Sequence, residues 1–189
     1  MAKGFDAQLL TKTFLNVAQE AFSSASKLTQ SDPPTTKSQN IIEYQGRMSV
    51  TAMEKFNGPT YISGLSFYLN DQHKEKHRAK GAFVLYLEAS NAEKLLRGFG
   101  YPAVDDEDDE EILNSCSKLC TALAESLKQG LADQGAPQLV LSASVSDKNS
   151  LQEGVEFGPD QTEKQEFSFY FWKKKVLVVD LTMASLPAR

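Results

Sequence analysis

The chain has 189 residues, of which 41% are hydrophobic and 24% are charged, a composition typical of a globular protein. A chain of this length buries enough apolar surface to fold without disulfides or metal, so we expect a single domain over residues 1–189. The formal net charge of -5 argues against binding to nucleic acid or to an anionic membrane. No segment approaches the length of a membrane-spanning helix and the first residues lack a secretory signal, so we expect a cytoplasmic location.

The first half of the sequence predicts a long helix, a polar loop, three strands and a short helix. Apolar residues recur at helical spacing from Gln8 to Leu28. The polar segment 29–40 contains Pro33 and Pro34, which predicts a loop and leaves disorder of that loop as an open alternative. The strands and the short helix are predicted at 41–53, 60–69, 82–89 and 90–100.

The second half repeats this scheme. A long helix begins within the acidic segment 105–115 and runs to about Asp133. Alternating apolar residues then predict three strands, at 138–146, 166–172 and 175–184. We therefore predict an α+β fold of two pseudo-repeated halves, each a helix plus three strands. The sheet is expected to be largely antiparallel, with both long helices packed on it.

The second long helix has two distinct faces. At about 100° per residue, its apolar residues fall on one side, which must be buried. Glu111, Asn114 and Lys118 fall on the opposite side. Glu111 and Asn114 are three residues apart on this exposed ridge, close enough to contact one partner together.

An exposed Glu and Asn can contribute to catalysis by positioning. A carboxamide that enters another protein's phosphate site can orient a water in line with the phosphorus atom. The carboxylate of Glu111 could pair with a lysine of that partner and hold the helix in register. The leaving group and any Mg²⁺ would then belong to the partner. The alternative is that both residues belong to an ordinary solvent-exposed face.

Other candidate reactive residues give weaker signals. Cys116 and Cys120 are spaced i, i+4 on one helix face, which favours two buried thiols over a disulfide in a reducing compartment. His73 and His77 lie in a charged connection without an apolar stripe, which favours surface histidines over metal ligands. The sequence therefore predicts no metal site, and it contains no glycine-rich phosphate loop.

The order of these elements resembles the CheX-like members of the CheC/CheX/FliY family of chemotaxis phosphatases. The resemblance covers residues 8–184 and includes Glu111-x-x-Asn114 at the start of the long helix and the following "LVLSASV". It implies a CheC-like fold and a phosphatase that accelerates hydrolysis of the aspartyl phosphate of a CheY-like response regulator in two-component signalling. Asn114 would orient the water and Glu111 would contact the regulator's lysine, so both are the expected catalytic residues.

The resemblance also implies which cofactors and partners to expect. This chain would bind no cofactor, and the Mg²⁺ would sit on the phosphorylated receiver domain. A homodimer formed through the sheets is a second implied partner. On the first helix, Glu20 is followed at the third position by Ser23 instead of Asn, so one site per chain is expected.

Two features depart from the family motif. Lys118 stands where the motif has Gly, and seven consecutive acids run from Asp105 to Glu111. Acids at a helix N-terminus also complement the helix dipole, so the run needs no partner. The alternative function is a non-catalytic receiver-binding or dimerising module that has lost phosphatase activity. We predict a docking surface of Lys118, Glu110 and Ser115 beside the two motif residues.

Overall fold

The computed structural model describes residues 7–25, 27–53, 55–103, 109–158 and 160–187. Within these ranges there are four helices: α1 (Ala7–Ser24), α2 (Asp71–Glu75), α3 (Ala89–Gly98) and α4 (Glu110–Asp133). The same ranges contain ten strands: β1 (Gln30–Asn40), β2 (Glu43–Tyr44), β3 (Arg47–Thr51), β4 (Thr60–Tyr68), β5 (Gly81–Glu88), β6 (Val140–Leu141), β7 (Val145–Lys148), β8 (Ser150–Val155), β9 (Glu163–Phe171) and β10 (Lys174–Met183).

Seven of these strands form one antiparallel sheet. Its order is β1-β9-β10-β5-β4-β6, and β7 also pairs with β4. Strands β9 and β10 form a hairpin in which Trp172 and Lys173 both have positive φ, as the tight turns favoured by twisted hairpins require. The predicted α+β class and the largely antiparallel sheet are confirmed.

The long helices pack on one face of this sheet. Phe14 and Phe22 of α1 lie edge-on to phenylalanines of β9; the rings of Phe14 and Phe167, for example, are 4.7 Å apart and inclined at 71°. The apolar face of α4 joins the same core. The apolar stripes read from the sequence are therefore the surfaces that hold both helices on the sheet.

The opposite face of the sheet is covered by a second, three-stranded sheet of order β2-β3-β8. Met48 and Val50 of β3 and Leu151 and Val155 of β8 pack there against inward-facing residues of the large sheet. Gly64 of β4 allows this close contact, because a Cβ at that position would lie 2.8 Å from Val155 Cγ1. The sequence predicted neither this small sheet nor β8, which falls in a polar segment.

The prediction of a loop over residues 29–40 was wrong. Residues 30–40 form β1, which pairs with β9 along the edge of the large sheet, with Lys37 opposite Glu166. The register shifts between Gln30 and Thr35 accommodate the two prolines, which lack a donor for a regular ladder. An edge strand that is mostly exposed needs no apolar alternation, so its polar sequence looked like a loop.

The pseudo-repeat is larger than the sequence indicated. In the described part of the chain, five strands follow each long helix, whereas three were predicted. The unpredicted strands are β1 and β8; in addition, the predicted strand 41–53 is divided into β2 and β3, and the predicted strand 138–146 contains β6 and the start of β7. No described helix is both long enough and apolar enough to cross a membrane.

Candidate functional site

Helix α4 carries the candidate site on the side that faces away from the sheet. Its opposite side is buried, as predicted, through Ile112, Cys116, Leu119, Cys120, Leu123, Leu127 and Leu131. Each of these side chains is at most 2% exposed. The orientation of the helix about its own axis is therefore fixed by the core.

The two motif residues lie in the first and second turns of α4. Glu111 is half-buried, and Asn114 is exposed. Within the described residues, neither side chain has a hydrogen bond or an ion pair. Both groups are therefore available to a partner, because no internal contact competes for them.

Asn114 lines a shallow groove between α4 and the segment that leads into β7. The other lining residues are Glu110, Leu113, Ser117, Ser144 and Ser146. All of these lining residues except Leu113 have polar side chains. Lys118 is exposed on the same helix, one turn after Asn114.

Ser115 does not belong to the docking surface predicted from the sequence. It is 1% exposed, and its hydroxyl donates to the carbonyl oxygen of Pro102. Ser115 follows Ile112 by three residues and precedes Leu119 by four, so it lies on the buried face. The prediction for Ser115 was therefore wrong, because its position on the helix places it against the core.

Asp109 anchors the start of α4 to the large sheet. Its carboxylate accepts a hydrogen bond of 2.6 Å from the Tyr61 hydroxyl and one of 2.9 Å from Lys148 Nζ. The hydrogen bond from Tyr61 lowers the pKa of Asp109 most, and the bond from Lys148 lowers it further, because both stabilise the ionised carboxylate. Asp109 has φ of 54°, a left-handed conformation that Asp tolerates better than most residues. Its side chain makes no capping bond to the helix and is directed to the sheet instead.

A second contact holds α4 one turn beyond Asn114. The hydroxyls of Ser117 and Ser144 contact each other, and Ser144 lies 3.5 Å from the Thr121 hydroxyl. In β7, the Ser146 hydroxyl donates to the Ser63 hydroxyl of β4 at 2.9 Å. These hydroxyls therefore link α4 to Ser144, just before β7, and link β7 to β4.

No pattern in the sequence indicated these anchors. Asp109 is separated from Tyr61 by 48 residues and from Lys148 by 39. No local pattern links such positions. In the sequence, Asp109 is one of seven consecutive acids, and Lys148 lies between two predicted strands.

Four residues of that acidic run, Asp105 to Asp108, lie outside the described residues. Of the remaining three, Asp109 is paired as above, and Glu110 is exposed. The charge facing a partner from the described part of the run is thus smaller than the sequence suggested, because Lys148 offsets Asp109.

Cys116, Cys120 and His77 have the environments predicted for them, whereas His73 is half-buried and its Nδ1 atom is buried. Cys116 and Cys120 are both buried free thiols, and burial raises the pKa of Cys120 to about 12. His77 is exposed, with Nδ1 2.7 Å from a carboxylate oxygen of Glu156. Among the residues that the structure describes, no group of three or more His, Cys, Asp or Glu is arranged to bind a metal.

Comparison with known proteins identifies the fold. No protein-family model matches the sequence, and no curated protein matches it. Among solved structures, CheX from Desulfovibrio desulfuricans is 8% identical with a TM-score of 0.55, over 92% of this chain and 98% of that one.

Two further structures extend this similarity. The CheX–CheY–BeF3–Mg²⁺ complex from Borrelia burgdorferi is 12% identical with a TM-score of 0.55, over 93% of this chain and 97% of that one. FliY from Thermotoga maritima is 13% identical with a TM-score of 0.52, over 91% and 84%. At these identities the similarity establishes architecture, and the chain has the fold shared by the CheX, CheC-like and FliY proteins.

Proposed function

We propose that this chain accelerates hydrolysis of the aspartyl phosphate of a CheY-like receiver domain. The observation that carries the proposal is the placement of Glu111 and Asn114. Both lie at the start of a helix whose other face is locked in the core, and neither has an internal partner among the described residues. The fold is also that of a CheX solved with CheY, BeF3 and Mg²⁺.

In this proposal Asn114 orients the attacking water. Its carboxamide has two donors and an acceptor. The carboxamide oxygen can therefore accept a hydrogen bond from a water and hold that water in line with the phosphorus atom. The water oxygen bonds to phosphorus as the bond between phosphorus and the aspartyl oxygen of the receiver breaks, and the water's proton goes to the phosphate that is released. The receiver's Mg²⁺ would stabilise the charge that develops on the phosphoryl oxygens. The chain then contributes position instead of a nucleophile or a metal.

Glu111 has a different role, which is to hold the helix in register on the receiver. A carboxylate can form a charge-assisted bond to a lysine of the partner. This interaction contributes to binding before and during the reaction. We therefore expect Glu111→Ala to raise the half-saturating concentration of the chain more than it lowers the maximal rate.

The proposal is tested by measuring the decay of phosphorylated receiver domains, in Mg²⁺, with and without the chain. Receivers from the same organism form the test set, and Glu20→Ala serves as a matched control. Glu20 is an exposed glutamate on α1, so Glu20→Ala makes the same charge change as Glu111→Ala on a different surface. Faster decay that depends on Glu111 but not on Glu20 supports the proposal; no acceleration of any receiver refutes it.

A non-catalytic receiver-binding module is the second candidate function, and Lys118 is the observation that favours it. The exposed lysine lies one turn from Asn114, where a long charged side chain meets any partner that approaches the ridge. Lys118→Ala shortens this side chain without a helix-propensity penalty. If the wild-type chain binds a receiver without accelerating decay, and Lys118→Ala does not restore turnover, the binding module is the better account.

A further inference from the structure

We propose that Asp109, Tyr61 and Lys148 are positioning residues that set the first turn of α4 for docking. The inference rests on the proposed function, because it concerns how Glu111 is presented to a receiver. None of the three is a catalytic residue. Their effect reaches the partner through the helix that Asp109 begins.

The contact joins three elements that are distant in sequence. Asp109 immediately precedes α4, Tyr61 lies in β4, and Lys148 ends β7. The carboxylate bridges the other two through Oδ1 and Oδ2, at 2.6 and 2.9 Å, and Lys148 Nζ also lies 5.3 Å from the centre of the Tyr61 ring. Tyr61 is 3% exposed and belongs to the hydrophobic core, so the bridge ties the start of α4 to a buried residue of the sheet.

The bridge acts directly on the turn that carries Glu111. The carbonyl oxygen of Asp109 accepts the first hydrogen bond of the helix, from Leu113 N at 2.9 Å. Helix ends fray unless their first residues are held, and the Asp109 side chain makes no capping bond to the helix itself. The hydrogen bonds of the Asp109 carboxylate take its place.

Asn114 is held from the other side as well. The contact between Ser117 and Ser144 fixes the helix one turn beyond Asn114. Asp109 precedes Asn114 by five residues, a rise of about 7.5 Å along the axis. Loosening the bridge should therefore disturb Glu111 strongly and Asn114 weakly.

This difference predicts a specific kinetic effect. Because Glu111 is assigned to docking and Asn114 to the chemical step, loss of the bridge should raise the half-saturating concentration and leave the maximal rate nearly unchanged. A general loss of folding would instead reduce the amount of active protein, which lowers the apparent maximal rate.

The test compares Lys148→Met with Lys148→Arg and with the control Lys128→Met. Lys148→Met removes the ammonium and keeps the apolar stem, and Lys148→Arg restores a donor to Asp109. Lys128 forms an ion pair of 3.0 Å with Glu125 farther along α4. The control therefore removes a lysine and an ion pair from the same helix without touching its first turn.

We expect Lys148→Met to raise the half-saturating concentration about fivefold, the effect of one partly exposed ion pair. The maximal rate should stay within about twofold, Lys148→Arg should recover most of the loss, and Lys128→Met should resemble wild type. An unchanged half-saturating concentration in Lys148→Met overturns the inference. A loss in the arginine variant equal to that in the methionine variant also overturns it.

Two further measurements separate this inference from the proposed function. Amide hydrogen exchange of Leu113, whose N–H donates to the Asp109 carbonyl oxygen, should be faster in Lys148→Met than in Lys128→Met in the free chain, and equal rates overturn the inference whatever the activity. If wild type binds a BeF3-loaded receiver without accelerating decay, the phosphatase proposal fails. In that case the dissociation constant replaces the half-saturating concentration, with the same expected fivefold rise.

Discussion

Replacing Lys55 with methionine should destabilise the protein through a buried charge network. Lys55 Nζ contacts Glu166 of β9 and lies 2.8 Å from Asp180 Oδ1 of β10. The three residues are 5%, 4% and 0% exposed, and Glu166 and Asp180 are direct neighbours across the two strands. Methionine has a similar length and keeps the apolar packing of the stem, so the substitution removes mainly the charge.

The size of the stability loss depends on the contacts that Glu166 and Asp180 keep in the Lys55→Met protein. Breaking a buried ion pair by removing one partner costs about 3–5 kcal/mol, because the other charge is left buried. Here Asp180 keeps Lys164 at 2.8 Å and the Tyr86 hydroxyl at 3.0 Å, and Glu166 keeps Lys37 at 3.3 Å. These residual partners place the expected loss near the lower limit, at about 3 kcal/mol.

Equilibrium unfolding in urea measures this loss, with two comparison variants. Lys37 binds the same glutamate, but its side chain is 61% exposed, so Lys37→Met should cost less than about 1 kcal/mol. Adding Glu166→Gln to Lys55→Met should recover part of the lost stability, because it removes the carboxylate charge that Lys55→Met leaves without its buried partner. A Lys55→Met protein within about 1 kcal/mol of wild type would refute the reasoning.

Two other predictions concern acid stability and thiol reactivity. Burial alone would raise the pKa of Glu156, but hydrogen bonds with Tyr68 and His77 outweigh it and lower that pKa. The ionised carboxylate therefore stabilises the fold above pH ~4.5, and this contribution is lost as the pH falls through the lowered pKa. The difference in melting temperature between wild type and Glu156→Gln should be present at pH 7 and shrink as the pH falls below ~4.5 through the lowered pKa; a difference that grows over that range contradicts this. Cys116 and Cys120 are buried, and burial raises the pKa of both thiols. Neither should react with a thiol reagent at pH 8 until the chain unfolds, and rapid labelling of the native protein would contradict their burial.

The sequence predicted the parts of the fold whose residues are periodic. The apolar stripe of α4 and the alternating phenylalanines of β9 are local patterns with a direct physical meaning, and both lie in the core. The strands β1 and β8 escaped prediction because few of their residues are buried. In β8, Leu151 and Val155 alone are buried, which is too few to produce a period.

The candidate site was also predicted only in part. The exposure of Asn114 followed from helical geometry, and the structure confirms it. The bridge from Asp109 to Tyr61 and Lys148 depends on how the strands are ordered in the sheet, which no local spacing encodes. The single-domain organisation and the homodimer stay predictions.

The most direct test of the proposed function is the decay rate of one phosphorylated receiver domain, with Mg²⁺ and a saturating amount of wild type or Asn114→Ala. Alanine favours the helix and leaves the buried face of α4 intact, so folding should be unaffected. If Asn114 orients the attacking water, wild type accelerates decay and the variant loses about 100-fold of that acceleration while still binding the receiver. Equal acceleration by both proteins would contradict the assignment of Asn114, and no acceleration by either would leave the fold without the proposed chemistry.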